Sequence, residues 1–180
     1  MYLRLMNIED LKYPIGQFTM PELFDQKQAD IWVSEIAVLP IQIRKATENL
    51  SNEQLNQHYR PGGWTLRQVI HHLPDSHMNA YIRFKQALTE NVPVIRPYEE
   101  QLWAETTEAR DGDIEMSVTL LAALHQRWVA FLNTLQLEDY QRKYIHPAQG
   151  KELNLANMLG MYAWHGKHHL AHITNAIAQL

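Results

Sequence analysis

The C-terminal part of the chain carries four histidines within eight residues: His165, His168, His169 and His172. His165 and His169 are four positions apart, so on an α-helix their rings lie on one face, one turn apart. Two neutral imidazoles in this arrangement can bind one metal ion. His172 falls on the same face and His168 to one side of it. The spacing therefore predicts a metal-binding helix face.

The alternative is that these histidines are structural residues of the core. A single buried histidine usually finds one hydrogen-bond partner there. Four neighbouring rings each bring a donor and an acceptor, and satisfying all of them inside a core is costly. We interpret the stretch as metal-binding and keep the structural alternative open.

A third ligand is expected from the region 66–90, which contains His71, His72 and His77. On a helix, His77 falls with the apolar residues and is predicted to be a core histidine, whereas His71 points away from the core. His72 lies on the border between the two faces. His72 lies about 10 Å from the N-terminal end of its helix, and His169 lies about 16 Å from the C-terminal end of its own. If the two helices are antiparallel, the two histidines lie at roughly the same height. His72 is therefore the predicted partner of His165 and His169.

Three histidines without a fourth protein ligand are typical of an open, catalytic metal site. The chain has no cysteine, so only His, Asp or Glu side chains are available to hold an ion. Gly166 stands where the zincin motif has its catalytic glutamate, so a general base must come from elsewhere. Asp75, Asn79 and His168 are candidates for groups beside the ion, and the catalytic residue itself is left unassigned.

The elements that must position these residues are predicted from hydrophobic periodicity as four long helices, at 26–49, 65–90, 114–137 and 154–180. Thr65 and Gln68 form a capping box at the start of the second helix. Residues 1–25 are predicted to be irregular, and 91–115 a long connection with a short helix at 99–104. A weak hairpin signal surrounds 148–151. The expected fold is an all-α four-helix bundle.

Composition narrows the class of protein. The chain has 180 residues, which predicts one domain spanning 1–180. A net charge of −4 argues against nucleic acid as a partner, because phosphates call for a basic surface. No apolar run approaches the length of a membrane span and no leader-like segment opens the chain. We therefore expect a cytoplasmic protein that acts on neither membranes nor nucleic acid.

The sequence resembles the YfiT group of the DinB superfamily over nearly its whole length. The most specific match is the segment 60–85, which begins Arg60-Pro61-Gly62-Gly63-Trp64 and includes the histidines of the second helix. Four shorter segments also match, at 13–16, 95–98, 124–128 and 162–173. Pro74 departs from the pattern, since a small residue such as alanine is expected there.

The resemblance implies a DinB-like bundle with a long crossover between the second and third helices. It implies one Zn²⁺ per subunit, with Ni²⁺ as an alternative, on His72, His165 and His169, and a homodimer. The activity implied is that of a metal-dependent hydrolase acting on a small molecule. One alternative is a thiol S-transferase using bacillithiol or a similar low-molecular-weight thiol. Another is a non-catalytic bundle that binds a metal or ligand.

Overall fold

The computed structural model describes residues 7–147 and 150–179. Four long helices dominate it, joined by short helices and one hairpin. In chain order the elements are α1 (Ile8–Lys12), α2 (Gln26–Thr47), α3 (Asn52–Leu55), α4 (Leu66–Thr89), α5 (Glu100–Ala104), α6 (Thr107–Asp111), α7 (Ile114–Leu132), a 3₁₀ turn (Asp139–Gln141), β1 (Lys143–His146), β2 (Lys151–Asn154) and α8 (Leu155–Ile177).

The four long helices form a bundle in which α2 and α4 each pack against both α7 and α8. The helices α2 and α4, consecutive in the chain among the long ones, therefore lie across the bundle from each other. The connection from α4 to α7 crosses one side of the bundle, and its helices α5 and α6 both pack against α4. The predicted all-α bundle with a crossover between the second and third long helices is confirmed.

The start of α4 is fixed by the capping box that the sequence predicts. The Thr65 hydroxyl accepts a hydrogen bond from the Gln68 backbone N–H at 3.2 Å, and the Gln68 side chain accepts one from the Thr65 N–H at 2.9 Å. The Gln68 amide also donates to the Ala104 carbonyl at 2.8 Å, which ties α4 to α5. The helix then continues through Pro74 to Thr89, so its first two turns carry His71 and His72 at a fixed height.

Several boundaries differ from the sequence prediction. Residues 8–12 form the short helix α1 within the segment predicted to be irregular, and α6 was not predicted. The helix α7 ends at Leu132 instead of 137, because the chain tightens into a turn with a Leu135 N–H to Leu132 carbonyl bond. The predicted hairpin is confirmed as β1 and β2, which pair antiparallel. Its turn residues 148–149, like residue 180 at the predicted end of α8, lie outside the described residues.

The helices α2 and α8 approach each other closely where α8 has glycines. A Cβ atom added at Gly160 would lie 2.6 Å from the Trp32 ring, and one at Gly166 would lie 2.5 Å from the Leu39 side chain. Gly166 therefore lets the turn between His165 and His169 pack directly against α2. None of the helices in the described part of the chain is long and apolar enough to cross a membrane.

Candidate metal centre

The structure brings together the three histidines that the sequence singles out as ligands. His72 extends from α4, and His165 and His169 extend from consecutive turns of α8. One ring nitrogen from each lies within 4.8 Å of the others. The Nε2 atoms of His72 and His165 are 3.2 Å apart, and the His165 and His169 ring centres are 4.5 Å apart. The spacing fits three ligands converging on one point.

A chain of buried histidines determines which nitrogen of His165 is free. The Nδ1 atom of His125 lies 2.7 Å from the Ile36 carbonyl oxygen, which can only accept, so His125 donates there. In neutral rings, His125 Nε2 then accepts from His77 Nδ1 at 2.9 Å. His77 Nε2 in turn accepts from His165 Nδ1 at 3.1 Å. The lone pair of His165 is thereby left on Nε2, on the side of His72.

A shorter chain acts on His169 in the same way. The Nε2 atom of His172 lies 3.1 Å from the Lys12 carbonyl oxygen and must donate to it. Its Nδ1 atom therefore accepts from His169 Nδ1 at 3.4 Å, and the lone pair of His169 is on Nε2. The Nδ1 atom of His72 lies 3.4 Å from the Tyr98 hydroxyl oxygen, which can accept a hydrogen bond from an Nδ1–H group. All three ligand candidates can thus present Nε2 while Nδ1 is hydrogen-bonded.

The protonation states suit a cation site. Burial lowers the pKa of His72 to about 4. Burial also lowers the pKa of His165 and His169 well below the usual value, and the neighbouring histidines add to the effect. The rings are therefore neutral at pH 7, which is the form that binds metals. A donor set of three neutral imidazoles with oriented lone pairs fits a divalent transition metal.

The same pKa shifts make the stability of the metal-free protein depend on pH. Burial holds the pKa of His125 at about 4 in the folded chain, against 6.5 as the ordinary value. As the pH falls below 6.5, the unfolded chain takes up protons that the folded chain does not. We expect each such histidine to remove about 1.4 kcal/mol per pH unit from the free energy of unfolding, until the folded form is also protonated. Urea denaturation of chelator-treated protein between pH 7.5 and pH 5 measures this, and an unfolding free energy independent of pH in that range contradicts it.

A cavity of about 380 Å³ opens beside the three histidines, in the groove between α4 and α8. The hairpin and α5 close its other sides. Its lining combines apolar, aromatic and polar side chains: Trp64, His72, Ser76, Arg83, Ile95, Glu100, Tyr144, His146, Leu153, Asn157, Met158, Met161, Tyr162, Trp164, His165, His168 and His169. A small molecule in this cavity would contact all three ligand candidates.

Of the three residues predicted to lie beside the ion, one lines the cavity and two do not. His168 lines the cavity and stacks on Trp164, with ring centres 4.4 Å apart. Asp75 and Asn79 are absent from the cavity lining within the described chain. The Asn79 amide donates to the Asp75 backbone carbonyl at 2.9 Å, and Asn79 lines a separate cavity with Tyr98. Burial raises the pKa of Asp75 to about 6, with Glu108 contributing.

The prediction for His71 was wrong. It was expected to point away from the core, yet it is 1% exposed. Its Nδ1 atom lies 2.7 Å from the Ser117 hydroxyl of α7, and α6 lies nearby, with the Glu108 carboxylate 3.6 Å away. The burial of His71 cannot be predicted from the apolar face of α4, because His71 lies on a second face of the helix, which the crossover connection and α7 cover. His77 is buried as predicted, but it also contacts His165.

Sequence reasoning missed three residues around the ligand candidates, two in contact with His72 and one that acts through His77. His125 orients His77, Tyr98 lies at hydrogen-bond distance from His72, and the Trp64 ring centre is 4.8 Å from that of His72. A histidine inside the apolar stripe of α7, one turn before Trp128, was the available signal for His125. No comparable signal exists for Tyr98, because it lies in a loop.

A second group of histidines also lies within 4.8 Å: His168, His169 and His172. This group is less suited to an ion, because both nitrogens of His172 are already engaged, by Lys12 and by His169. A neutral imidazole has only one lone pair to offer. The group containing His72 therefore remains the better candidate.

Comparison with known proteins identifies one superfamily, with relatives whose names describe metal-dependent hydrolases. The sequence pattern of the DinB superfamily matches residues 41–173. A Bacillus cereus (strain 03BB102) protein named "Putative metal-dependent hydrolase" is 49% identical over 168 residues, covering 93% of this chain and 96% of the relative. A Bacillus anthracis (strain A0248) protein of the same name has the same identity and coverage.

A solved structure of a related protein also matches the chain. YfiT from Bacillus subtilis, described as "a probable metal-dependent hydrolase with an unusual four-helix bundle topology", matches with a TM-score of 0.92 at 44% identity. The match covers 94% of this chain and 97% of YfiT. Because the family pattern spans most of the chain and these relatives match over nearly their full length, the chain belongs to the DinB superfamily.

Proposed function

We propose that the protein is a metal-dependent hydrolase of small molecules, with one divalent ion per chain held by Nε2 of His72, His165 and His169. The observation that carries the proposal is the pair of hydrogen-bond chains ending on the Ile36 and Lys12 carbonyls. They leave the lone pairs of His165 and His169 free on Nε2. The names of the two relatives and the description of YfiT agree with this proposal.

The chemistry that such an ion supplies is the polarisation of the scissile group and the activation of water at neutral pH. The protein's own contribution is to hold the ligands in one orientation. His77 and His125 fix His165 through hydrogen bonds, and His172 fixes His169. Such partners of a ligating histidine set its tautomer and raise its basicity.

Glu100 of α5 is the carboxylate best suited to be the general base. It lines the cavity that contains the three histidines. Burial raises the pKa of its carboxyl, and the charge of Arg83 opposes that rise. A carboxylate with a raised pKa is a stronger base toward a water molecule in the cavity. Sequence reasoning could not select Glu100, because it is separated from every histidine by loops and lies on a helix of one turn.

For the ion we propose Zn²⁺, with Ni²⁺ as the alternative. Three imidazole nitrogens without a thiolate suit either metal. The proposed donor set consists of imidazole nitrogens alone and contains no thiolate or thioether that would favour Cu⁺.

Activity should depend on the three histidines and on Glu100. We expect the zinc-loaded protein to hydrolyse simple esters or amides, His165→Ala to fall to the uncatalysed rate, and Glu100→Gln to keep its metal but lose about 100-fold or more in kcat. The measurement is a panel of chromogenic esters and amides, with metal content determined for each variant.

The same preparation separates hydrolysis from thiol transfer. It is incubated with a small thiol and a chlorodinitroaromatic electrophile, again with His165→Ala as the control. Conjugation that depends on His165, without ester or amide hydrolysis, would replace the proposed hydrolase by an S-transferase. Metal binding without either activity would favour a non-catalytic bundle.

We also propose that the protein is a homodimer. Support comes from exposed apolar side chains on α2 and α7, including Ile41 at 72%, Met116 at 55% and Leu120 at 43%. We expect light scattering at micromolar concentration to give about twice the chain mass of 21.1 kDa. Ile41→Glu should reduce the mass toward that of one chain. A wild-type mass near 21.1 kDa contradicts the proposal.

A further inference from the structure

Arg83 lines the same cavity as the three histidines, but it lies far from them along α4. It is eleven residues after His72, which corresponds to a rise of ~16 Å. The α8 residue that it contacts, Tyr162, precedes His165 and His169, as expected for antiparallel helices. The guanidinium therefore lies toward the N-terminal end of α8 and the histidines toward its C-terminal end, and the Tyr162 ring that contacts Arg83 is 5.6 Å from the His165 ring.

The guanidinium of Arg83 is buried with only part of its hydrogen-bonding capacity used. The side chain is 8% exposed. One terminal nitrogen donates to the Tyr162 hydroxyl at 3.3 Å, and the other donates to the Arg96 carbonyl at 3.0 Å. The Nε–H is buried and has no partner within the described residues. Since a guanidinium has five N–H donors, three remain unshared.

The positive charge of Arg83 acts on Glu100 of the same cavity, but the two side chains do not form an ion pair. No carboxylate of residues 7–147 and 150–179 forms an ion pair with Arg83. Burying such a charge is costly unless it is paired. Its field acts on the cavity groups: burial raises the pKa of Tyr162 and Tyr144, and Arg83 opposes both rises.

Other polar side chains line the cavity with Arg83. His146 of β1 has a buried Nδ1 atom without a hydrogen-bond partner in the described structure. Tyr144, also on β1, and Asn157 of α8 line the same cavity. Arg83 and His146 thus each bring to this cavity a buried nitrogen that lacks a partner among the described residues.

From this arrangement we infer that the cavity is a binding site for a carboxylate-bearing small molecule, whose carboxylate is held by Arg83 while its other end reaches the three histidines. The further step, that this molecule is the substrate, rests on the proposed function. A planar guanidinium with adjacent free N–H groups matches the two oxygens of a carboxylate. The apolar residues between the two ends, such as Met158 and Ile95, would contact the body of the molecule.

The charges favour a carboxylate over a phosphate group. Among the described residues, Arg83 carries the only guanidinium that lines this cavity, and Glu100 lines it too. A group carrying a single negative charge matches one guanidinium, whereas a dianionic phosphate would be repelled more strongly by Glu100. We therefore expect the cavity to bind a carboxylate in preference to phosphate.

The test measures the binding of hexanoate and of its neutral analogue hexanamide by calorimetry, with the full-length protein in zinc-loaded and chelator-treated forms. We expect hexanoate to bind both forms and to bind at least tenfold more tightly than hexanamide. Arg83→Gln should weaken hexanoate binding at least tenfold in both forms. Arg83→Lys, which keeps the charge but loses the planar pair of donors, should give a smaller loss.

Arg96→Gln is the matched control, because Arg96 is exposed and its side chain lines a different cavity. It should bind hexanoate like the wild type. The inference is overturned if hexanoate does not bind, if hexanamide binds equally well, or if binding requires zinc and ignores Arg83. Arg83-dependent binding of inorganic phosphate in preference to hexanoate would overturn the choice of carboxylate. If Arg83→Gln fails to fold, Arg83→Lys decides.

The measurement is independent of catalysis. Arg83-dependent hexanoate binding by a protein without hydrolytic activity would overturn the proposed function and leave the carboxylate site standing. Hydrolytic activity without hexanoate binding would do the reverse.

Discussion

Replacing His169 with alanine is expected to leave the purified protein without a bound divalent metal, and so is replacing His72. Each change reduces the proposed donor set from three imidazoles to two, and a two-histidine site on a bundle holds a divalent ion weakly. We expect metal content to fall below a tenth of the wild-type value after dialysis, with hydrolysis at background. Elemental analysis of the folded variants is the measurement.

Two further histidine variants serve as controls. His71→Ala should keep its metal, although it should lose stability because the Ser117 hydroxyl is left without its partner. His168→Ala separates the two groups of histidines that share His169. It should also keep its metal. If instead His168→Ala loses the ion while His72→Ala retains it fully, the ion belongs to the group His168, His169 and His172.

The ligand candidates were predictable because their signal is local. The spacing of His165 and His169 fixes their relation on any helix, and Thr65 with Gln68 fixes where the other helix starts and hence the depth of His72. The long helices were predictable for the same reason, since periodicity within one segment decides which face is buried.

The surroundings of the ligands were not predictable, because they depend on which helix faces pack together. The burial of His71 results from the crossover connection and α7, which cover a second face of α4. His125 reaches His77 only because α7 packs against α4. The Lys12 carbonyl reaches His172 from an N-terminal segment that the sequence predicts to be irregular. Glu100 and Tyr98 come from the long connection, where no periodicity exists to orient side chains.

The chain of hydrogen bonds behind His165 leads to the second large expected effect. His125→Leu should lower the affinity for Zn²⁺ by about 10–100-fold, although His125 is two hydrogen bonds away from the nearest proposed ligand. Leucine cannot accept from His77 Nδ1, so His77 no longer has a preferred tautomer. His165 then loses the obligatory acceptor for its Nδ1–H, and its lone pair is no longer held on Nε2.

Competition with a chromogenic chelator measures the affinity, and ¹⁵N NMR of the histidine rings reports the tautomer of His165 directly. A merely structural role of His125 would leave that tautomer unchanged. His71→Leu is the matched control, because His71 is as buried as His125 and is hydrogen-bonded to Ser117 of α7 instead of to a histidine of the chain behind His165. The His71→Leu variant should lose comparable stability without a loss of zinc affinity.

His125→Gln should restore part of the zinc affinity, because its amide oxygen can accept a hydrogen bond from His77. Unchanged zinc affinity and an unchanged His165 tautomer in folded His125→Leu would show that the lone pair of His165 is oriented by the helix alone.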